Sequence, residues 1–152
     1  MKALIDTNVL IDVIQSREPF CQHSKRIFQL AAEGKIEGYV SVQSLKDIFY
    51  VCKRSCKEKS PFEPIEQISF LFSIIDVTGE DSLSALMSDI SDYEDALLVH
   101  SAQRNGINVI ITRNKHDFQD SHMVAVDPSE IDDYLGREFE TGCVIIGSVP
   151  GK

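Results

Sequence analysis

The chain has 152 residues, 43% of them hydrophobic and 26% charged, with a net charge of −9; this bounds it to one globular domain with a real core. No apolar run approaches the roughly 20 residues of a membrane helix, and no basic-then-apolar export signal opens the chain. A cytoplasmic protein with no membrane partner is expected.

The charge is uneven. Residues 1–59 hold 10 Lys/Arg against 7 Asp/Glu, a balance of +3, while residues 60–152 hold 5 against 17, a balance of −12. A polyanion is attracted by the first part and repelled by the second. A solvated helix face carrying Lys53, Arg54, Lys57 and Lys59 explains the basic excess equally well. Four scattered cysteines, Cys21, Cys52, Cys56 and Cys143, fit reduced thiols better than a disulfide framework. Cys52 and Cys56 share a helix face but lack the second ligand pair that zinc requires.

Ala3, Leu4 and Ile5 form a short apolar run that ends at Asp6, Thr7 and Asn8. Val9, Leu10, Ile11, Val13 and Ile14 then resume with the crowded pattern of a buried helix. A strand followed by a helix is predicted, with Asp6 at the strand's carboxyl end. In open α/β sheets ligands bind at that edge, although Asp6, Thr7 and Asn8 are also good helix caps.

Pro19 and Phe20 open a second helical stretch, closed by Gly34. A strand is predicted over 38–42, then a third helix from about Ser44. Pro61 and Pro64 interrupt the chain before a fourth helix around Ile65–Phe72. A third strand is predicted over 74–77, a fifth helix around Leu83–Met87, and a sixth over 91–105, ended by Gly106. Residues 108–112 (NVIIT) form the clearest strand; 123–126 is the next, 128–135 a short helix, and 144–146 a final edge strand. Strands alternating with helices indicate a parallel sheet covered on both faces. The fold class is an α/β sandwich.

Three further acids stand out by position. Asp47 falls three residues after Ser44, Asp95 three after Asp92, and Asp117 three after Asn114. Singly, each fits a cap pattern better than a catalyst. Together with Asp6 they suggest a cluster, because two follow strands and two begin helices whose positive ends favour anions. Two carboxylates about 4 Å apart repel by about 4 kcal/mol at an effective dielectric of 20. Several such pairs stay ionised only around a cation. With no His or Cys in the set, Mg²⁺ or Mn²⁺ is favoured over zinc. Such an ion bridges to phosphate and activates water, so hydrolysis of a nucleic-acid backbone is the expected reaction class.

At this point the residues resemble the PIN-domain nucleases, which include the VapC-like ribonuclease toxins of toxin–antitoxin modules. The similarity is carried by LIDTNVLID at 4–12, SLKDIFYV at 44–51, DYEDALLVHSA at 92–102 and VIITRNKHDF at 109–118. It covers about residues 1–134. The resemblance implies a three-layer α/β/α sandwich with a central, mostly parallel sheet, a PIN domain over 1–136 and a C-terminal extension over 137–152. It implies that Asp6, Asp47, Asp95 and Asp117 form the catalytic acidic site, with Asp6, Asp95 and Asp117 as metal ligands for Mg²⁺ or Mn²⁺. Thr112 and Asn114 would lie beside them, and Asn8 would steady the first loop. Asp92 is either an auxiliary ligand or the cap of its helix.

Two departures matter. The family commonly carries Glu where this chain has Asp47, one methylene shorter. The toxin branch often has Asp at the position of Asn114; the pattern TRN…DF belongs to a neighbouring subgroup. The function implied is a metal-dependent endoribonuclease acting on RNA, the toxin partner of a small antitoxin, and a homodimer. The alternative is a catalytically weak PIN module that binds RNA or a protein partner.

Of the remaining candidates, Arg113 adjoins the acidic edge and is suited to a phosphate contact. His116 lies in a loop near the same edge, and His100 is assigned to a helix flank. No Gly-rich phosphate loop is present, which argues against a nucleotide-dependent kinase or dehydrogenase. An aspartyl-phosphate hydrolase with Asp6 as nucleophile wants an acid two positions on, where this chain has Asn8.

Overall fold

A computed structural model describes residues 1–55 and 59–143, with 139–143 as backbone only. Five strands, β1 (Lys2–Ile5), β2 (Glu37–Ser41), β3 (Ser73–Ile75), β4 (Val109–Ile111) and β5 (Val124–Val126), form one sheet in the order β3-β2-β1-β4-β5. Every pairing is parallel. The chain therefore lays down strands outward to β3 and then returns to the other side of β1. That reversal puts a topological switch point between β1 and β4, where an open sheet leaves a crevice at its carboxyl edge.

Helices cover both faces. On one side stand α1 (Thr7–Ile14), α2 (Cys21–Ala32), α3 (Val42–Ser55), α4 (Glu63–Leu71) and α7 (Ile131–Cys143). On the other, α6 (Tyr93–Arg104) packs on the sheet with α5 (Gly79–Leu86) against it. The alternation within β1 shows why. Ala3 and Ile5 enter the larger core with Val9, Leu10, Ile27, Leu30 and Ile48. Leu4 enters the smaller core with Leu98, Val99, Ala102, Ile110 and Phe118. A strand with no exposed face must be apolar at every position. The three-layer α/β/α sandwich is as expected.

Several local boundaries follow the predicted signals. Gly34, at φ +71°, follows α2 in the left-handed conformation, and the Gly34 and Lys35 amides donate to Ala31 and Leu30 carbonyls as a glycine-ended helix requires. Gly106 (φ +69°) stops α6 in the same way.

Other boundaries differ. The third helix begins at Val42 rather than Ser44, because the Ser41 hydroxyl accepts the Gln43 amide at 3.2 Å and starts the helix directly from β2. Asp47 thus lies in the second turn, not the first. Ser44, expected as its cap, is buried and accepts a 2.8 Å bond from the Thr7 hydroxyl at the start of α1. The helix expected over 128–135 starts as a short 3-10 turn, Pro128–Glu130, and continues as α7, Ile131–Cys143. The edge strand expected over 144–146 lies outside the described residues, as does Cys56. Cys21 and Cys52 are buried free thiols. No helix among the described residues is long and apolar enough to cross a membrane.

Candidate active site

Strands β1 and β4 run side by side and end together, with the Asp6 amide donating to the Ile111 carbonyl at 3.0 Å. This brings Asp6 and Thr112 to the switch point from opposite ends of the sequence. The Thr112 hydroxyl, fully buried, donates to Asp6 Oδ2 at 2.7 Å. Asn8 Nδ2 donates to the same oxygen at 2.8 Å and also approaches Thr112 Oγ1 at 3.3 Å. Two donors on one oxygen fix the plane of the carboxylate. Asp6 occupies the position before α1, but no side-chain cap bond of the usual kind forms there; its Oδ2 accepts from Thr112 and Asn8 instead.

The loop after β4 is tied to the same group. The Asn114 amide donates to Thr112 Oγ1 at 3.0 Å, and the Arg113 amide approaches Asn8 Oδ1 at 3.4 Å. Asn114 does not cap the 3-10 turn Lys115–Phe118 with its side chain. Phe118 is buried in the smaller core, which anchors that turn and leaves Asp117 exposed on its outer side. Across the crevice, Asp92 does cap α6, accepting the Glu94 and Asp95 amides at 2.9 and 3.0 Å.

Electrostatics show which acids meet. Burial raises the pKa of Asp6 most strongly. The Thr112 hydroxyl, the Thr7 amide and the Arg113 charge oppose this, while the charge of Asp117 adds to it. The Asp95 carboxyl is pushed up to about 7, first by burial and then by the charges of Asp92, Asp6, Asp117 and Glu94. Asp6, Asp95 and Asp117 thus share one field. A cavity of about 180 Å³ opens beside Asp95 and Asp117, lined also by Asp92 and His116; Asp6 is not part of its wall. A larger cavity of about 300 Å³ lies elsewhere, between α1, α2 and α4, and contains none of these acids.

Asp47 stands apart from that trio. Its nearest charged partners are Lys46 Nζ, at 3.3 Å, and Glu94. The Glu94 carboxyl is raised by desolvation, by its hydrogen bond with Asp47, and by the charges of Asp47 and Asp92. Asp47 interacts with Glu94, a residue that sequence reasoning passed over; its one signal was its place beside Asp95 in DYED. Arg113 also has an unforeseen partner. Its Nε lies 2.7 Å from Oδ2 of Asp12, a carboxylate in α1 with no exposed surface. Asp12 fell among apolar residues and carried no strand-end or cap signal.

The donor set suits a hard divalent cation. It consists of carboxylate oxygens, and the proton affinities of Asp6 and Asp95 are raised first by burial and then by neighbouring acids, both of which a bound cation would offset. Among the described residues, no three acidic, His or Cys side chains stand close enough to enclose an ion as they lie. The fit is in charge and chemistry; ligand closure would need side-chain rotation.

No curated protein matches the chain by sequence. Among solved structures, its fold is similar to that of VapBC2 from Rickettsia felis bound to a promoter DNA fragment. There the identity is 15%, the match covers 84% of this chain and 98% of the other, and the TM-score is 0.65. It is also similar to a toxin–antitoxin complex from Klebsiella pneumoniae, with 24% identity, 83% and 97% coverage, and TM-score 0.61. A third is VapC20 from Mycobacterium tuberculosis, a Sarcin-Ricin loop cleaving toxin, with 16% identity, 71% and 86% coverage, and TM-score 0.57. At these identities the likeness speaks for the fold. The sequence itself matches a family model described as PIN domain over residues 2–116, and the chain therefore belongs to the PIN domain family.

Proposed function

We propose that this protein is a Mg²⁺- or Mn²⁺-dependent endoribonuclease that hydrolyses RNA phosphodiester bonds, and that it acts in the cytoplasm as a toxin restrained by a small antitoxin. The observation that carries the reading is that Asp6 and Asp95, partly desolvated at the switch point, also feel each other's or Asp117's charge, burial first and these acids second raising their proton affinity. PIN domains generally use divalent metal ions. The antitoxin reading rests on the fold relatives from Rickettsia felis and Klebsiella pneumoniae, which are toxin–antitoxin assemblies, and the RNA reading on the loop-cleaving toxin.

Asp6, Asp95 and Asp117 would hold the ion. When bound, it supplies charge neutralisation at the phosphate and a water of lowered pKa. Thr112 and Asn8 hold the Asp6 carboxylate in one plane, so its orientation is set before substrate arrives. Asp95, whose carboxyl is pushed up to about 7 by burial and by neighbouring acids, would release its proton on holding the ion. Asp47 and Glu94 form a second carboxyl pair beside the cluster. Asn114 contributes its amide to Thr112 and carries an uncharged side chain at the rim, one negative charge fewer than a carboxylate there would give.

The test is cleavage of an RNA panel by purified protein. Cutting should require Mg²⁺ or Mn²⁺, stop with chelator, and fall by on the order of 100-fold or more in Asp6→Asn. Undiminished metal-dependent cutting by Asp6→Asn would overturn the assignment. The separate position of Asp47 favours one competing reading, a PIN module that binds RNA or a protein without cutting. A calorimetric titration with no Mn²⁺ binding would select it. Light scattering tests the expected homodimer.

A further inference from the structure

Asp12 is a carboxylate enclosed within the fold. It has no exposed surface; Oδ2 accepts the Ser24 hydroxyl at 3.2 Å, and Oδ1 has no hydrogen-bond partner among the described residues. An isolated buried carboxylate is strongly unfavourable and persists only beside an opposite charge. That charge is Arg113, which leaves α1 and the loop after β4 joined by an ion pair.

The pair has an unusual form. Arg113 Nε is 2.7 Å from Asp12 Oδ2, yet its N–H is not aligned into a hydrogen bond. The guanidinium therefore meets Asp12 as a charge and does not spend its donor fork on it. Its carbon lies 4.1 Å from the centroid of the Phe20 ring, so an aromatic face fixes the plane from another side. The Arg113 side chain is 23% exposed, and the residue directly follows Thr112, whose hydroxyl touches Asp6. A planar donor group is thus held between Asp12 and Phe20, near enough for its charge to act on Asp6.

We infer that Arg113 is the residue of this chain that receives an RNA backbone phosphate at the acidic site, and that buried Asp12, with Phe20, is the positioning residue that holds its guanidinium ready. This rests on the ribonuclease reading above. An arginine fork suits phosphate, and immobilising it beforehand removes the ordering cost that a free arginine meets on binding. A lysine at 113 would keep the charge but lose both the fork and the stack.

The test uses full-length protein, single-turnover and steady-state RNA cleavage in Mn²⁺, and calorimetric Mn²⁺ titration. Arg113→Gln should raise KM by about tenfold or more, with kcat changed less and Mn²⁺ affinity retained. Arg113→Lys should recover only part of the loss. Asp12→Asn should raise KM in the same direction, and the double variant should be no worse than Arg113→Gln alone, because Asp12 acts through Arg113. Additive losses in the double variant, or a KM unmoved in Arg113→Gln, overturn the inference. Should Asp12→Asn fail to fold, Phe20→Leu, at a residue 41% exposed, replaces it in the same cycle with the same expectation. Wild-type protein that cuts while Arg113→Gln cuts equally well removes this inference alone. Wild-type protein that neither binds nor cuts RNA removes the ribonuclease reading together with it.

Discussion

The Thr112 hydroxyl donates to Asp6 Oδ2 at 2.7 Å although the two residues lie 106 positions apart. The bond exists because β1 and β4 are neighbours that end at the same level, with Ile5 opposite Ile111. Each strand's last apolar residue is followed at once by a polar one, and the two polar residues meet. Thr112→Val keeps the buried volume and removes the donor. Asp6 then retains Asn8 alone on that oxygen, its orientation loosens, and cleavage should fall by about 10- to 100-fold. The variant should also lose on the order of 1–3 kcal/mol of stability, since a buried acceptor is left short of a partner. RNA cleavage and urea denaturation read the two effects.

Asp95 makes metal binding and stability depend on pH in opposite ways. Its carboxyl is pushed up to about 7, by burial first and then by neighbouring acids, so the native metal-free state holds a proton that the unfolded chain releases. Stability of the metal-free protein should therefore decline as pH rises from about 4 to about 7, with the full penalty present above that. Metal binding should release this proton and weaken as pH falls below about 7. Calorimetry in two buffers of different ionisation enthalpy would count the protons released, and Asp95→Asn should lower that count while leaving the share that Asp6, also raised, contributes. At pH 8 the same variant should raise the melting temperature of metal-free protein while losing the rise that Mn²⁺ gives the wild type.

A second acid responds in the other sense. Asp81 is nearly buried at the start of α5, where it completes a capping box with Thr78 and meets Arg104. Burial raises its pKa, but the Arg104 guanidinium and the Thr78 bonds together hold the carboxyl below its usual value. Its stabilising contribution should be complete above about pH 4 and disappear as pH falls through the lowered folded-state value. Asp81→Asn should remove that acid-side loss from a plot of melting temperature against pH. Thr78→Ala, which takes away the cap hydroxyl, should cost about 1 kcal/mol near neutral pH and less in acid, since that hydroxyl also helps lower the Asp81 value.

Gly38 reports on packing rather than chemistry. A Cβ there would stand only 2.4 and 2.7 Å from Cδ1 and Cε1 of Phe72. Phe72 is buried and packs edge-on against Phe28 with ring centroids 5.1 Å apart, so it has little room to retreat. Gly38→Ala should destabilise the fold by about 1–3 kcal/mol through overpacking, seen as a lower denaturant midpoint. Catalysis per folded molecule should be retained, since β2 carries none of the site's acids.

Local sequence determined much of this protein. Apolar runs of three or four residues broken by polar ones gave the strands, and the same break placed Asp6 and Thr112 at strand ends. Glycine at 34 and 106 closed two helices because only a residue without Cβ enters the left-handed region freely. The family resemblance, carried by four short motifs, gave the α/β/α class and named the acids. Tertiary structure decided what those motifs do to one another. Strand order, which creates the switch point, is not encoded in any local period. Asp47 could be placed near α3's start from sequence, but its interaction with Glu94 of α6 is decided by the tertiary packing. Asp12 read as one polar residue in an apolar helix; only the fold supplied Arg113, 101 positions later in the numbering of the chain, to hold its charge. Local propensity arises from a residue's own backbone and nearest neighbours, whereas a buried charge is tolerated only through a partner that the whole packing must deliver.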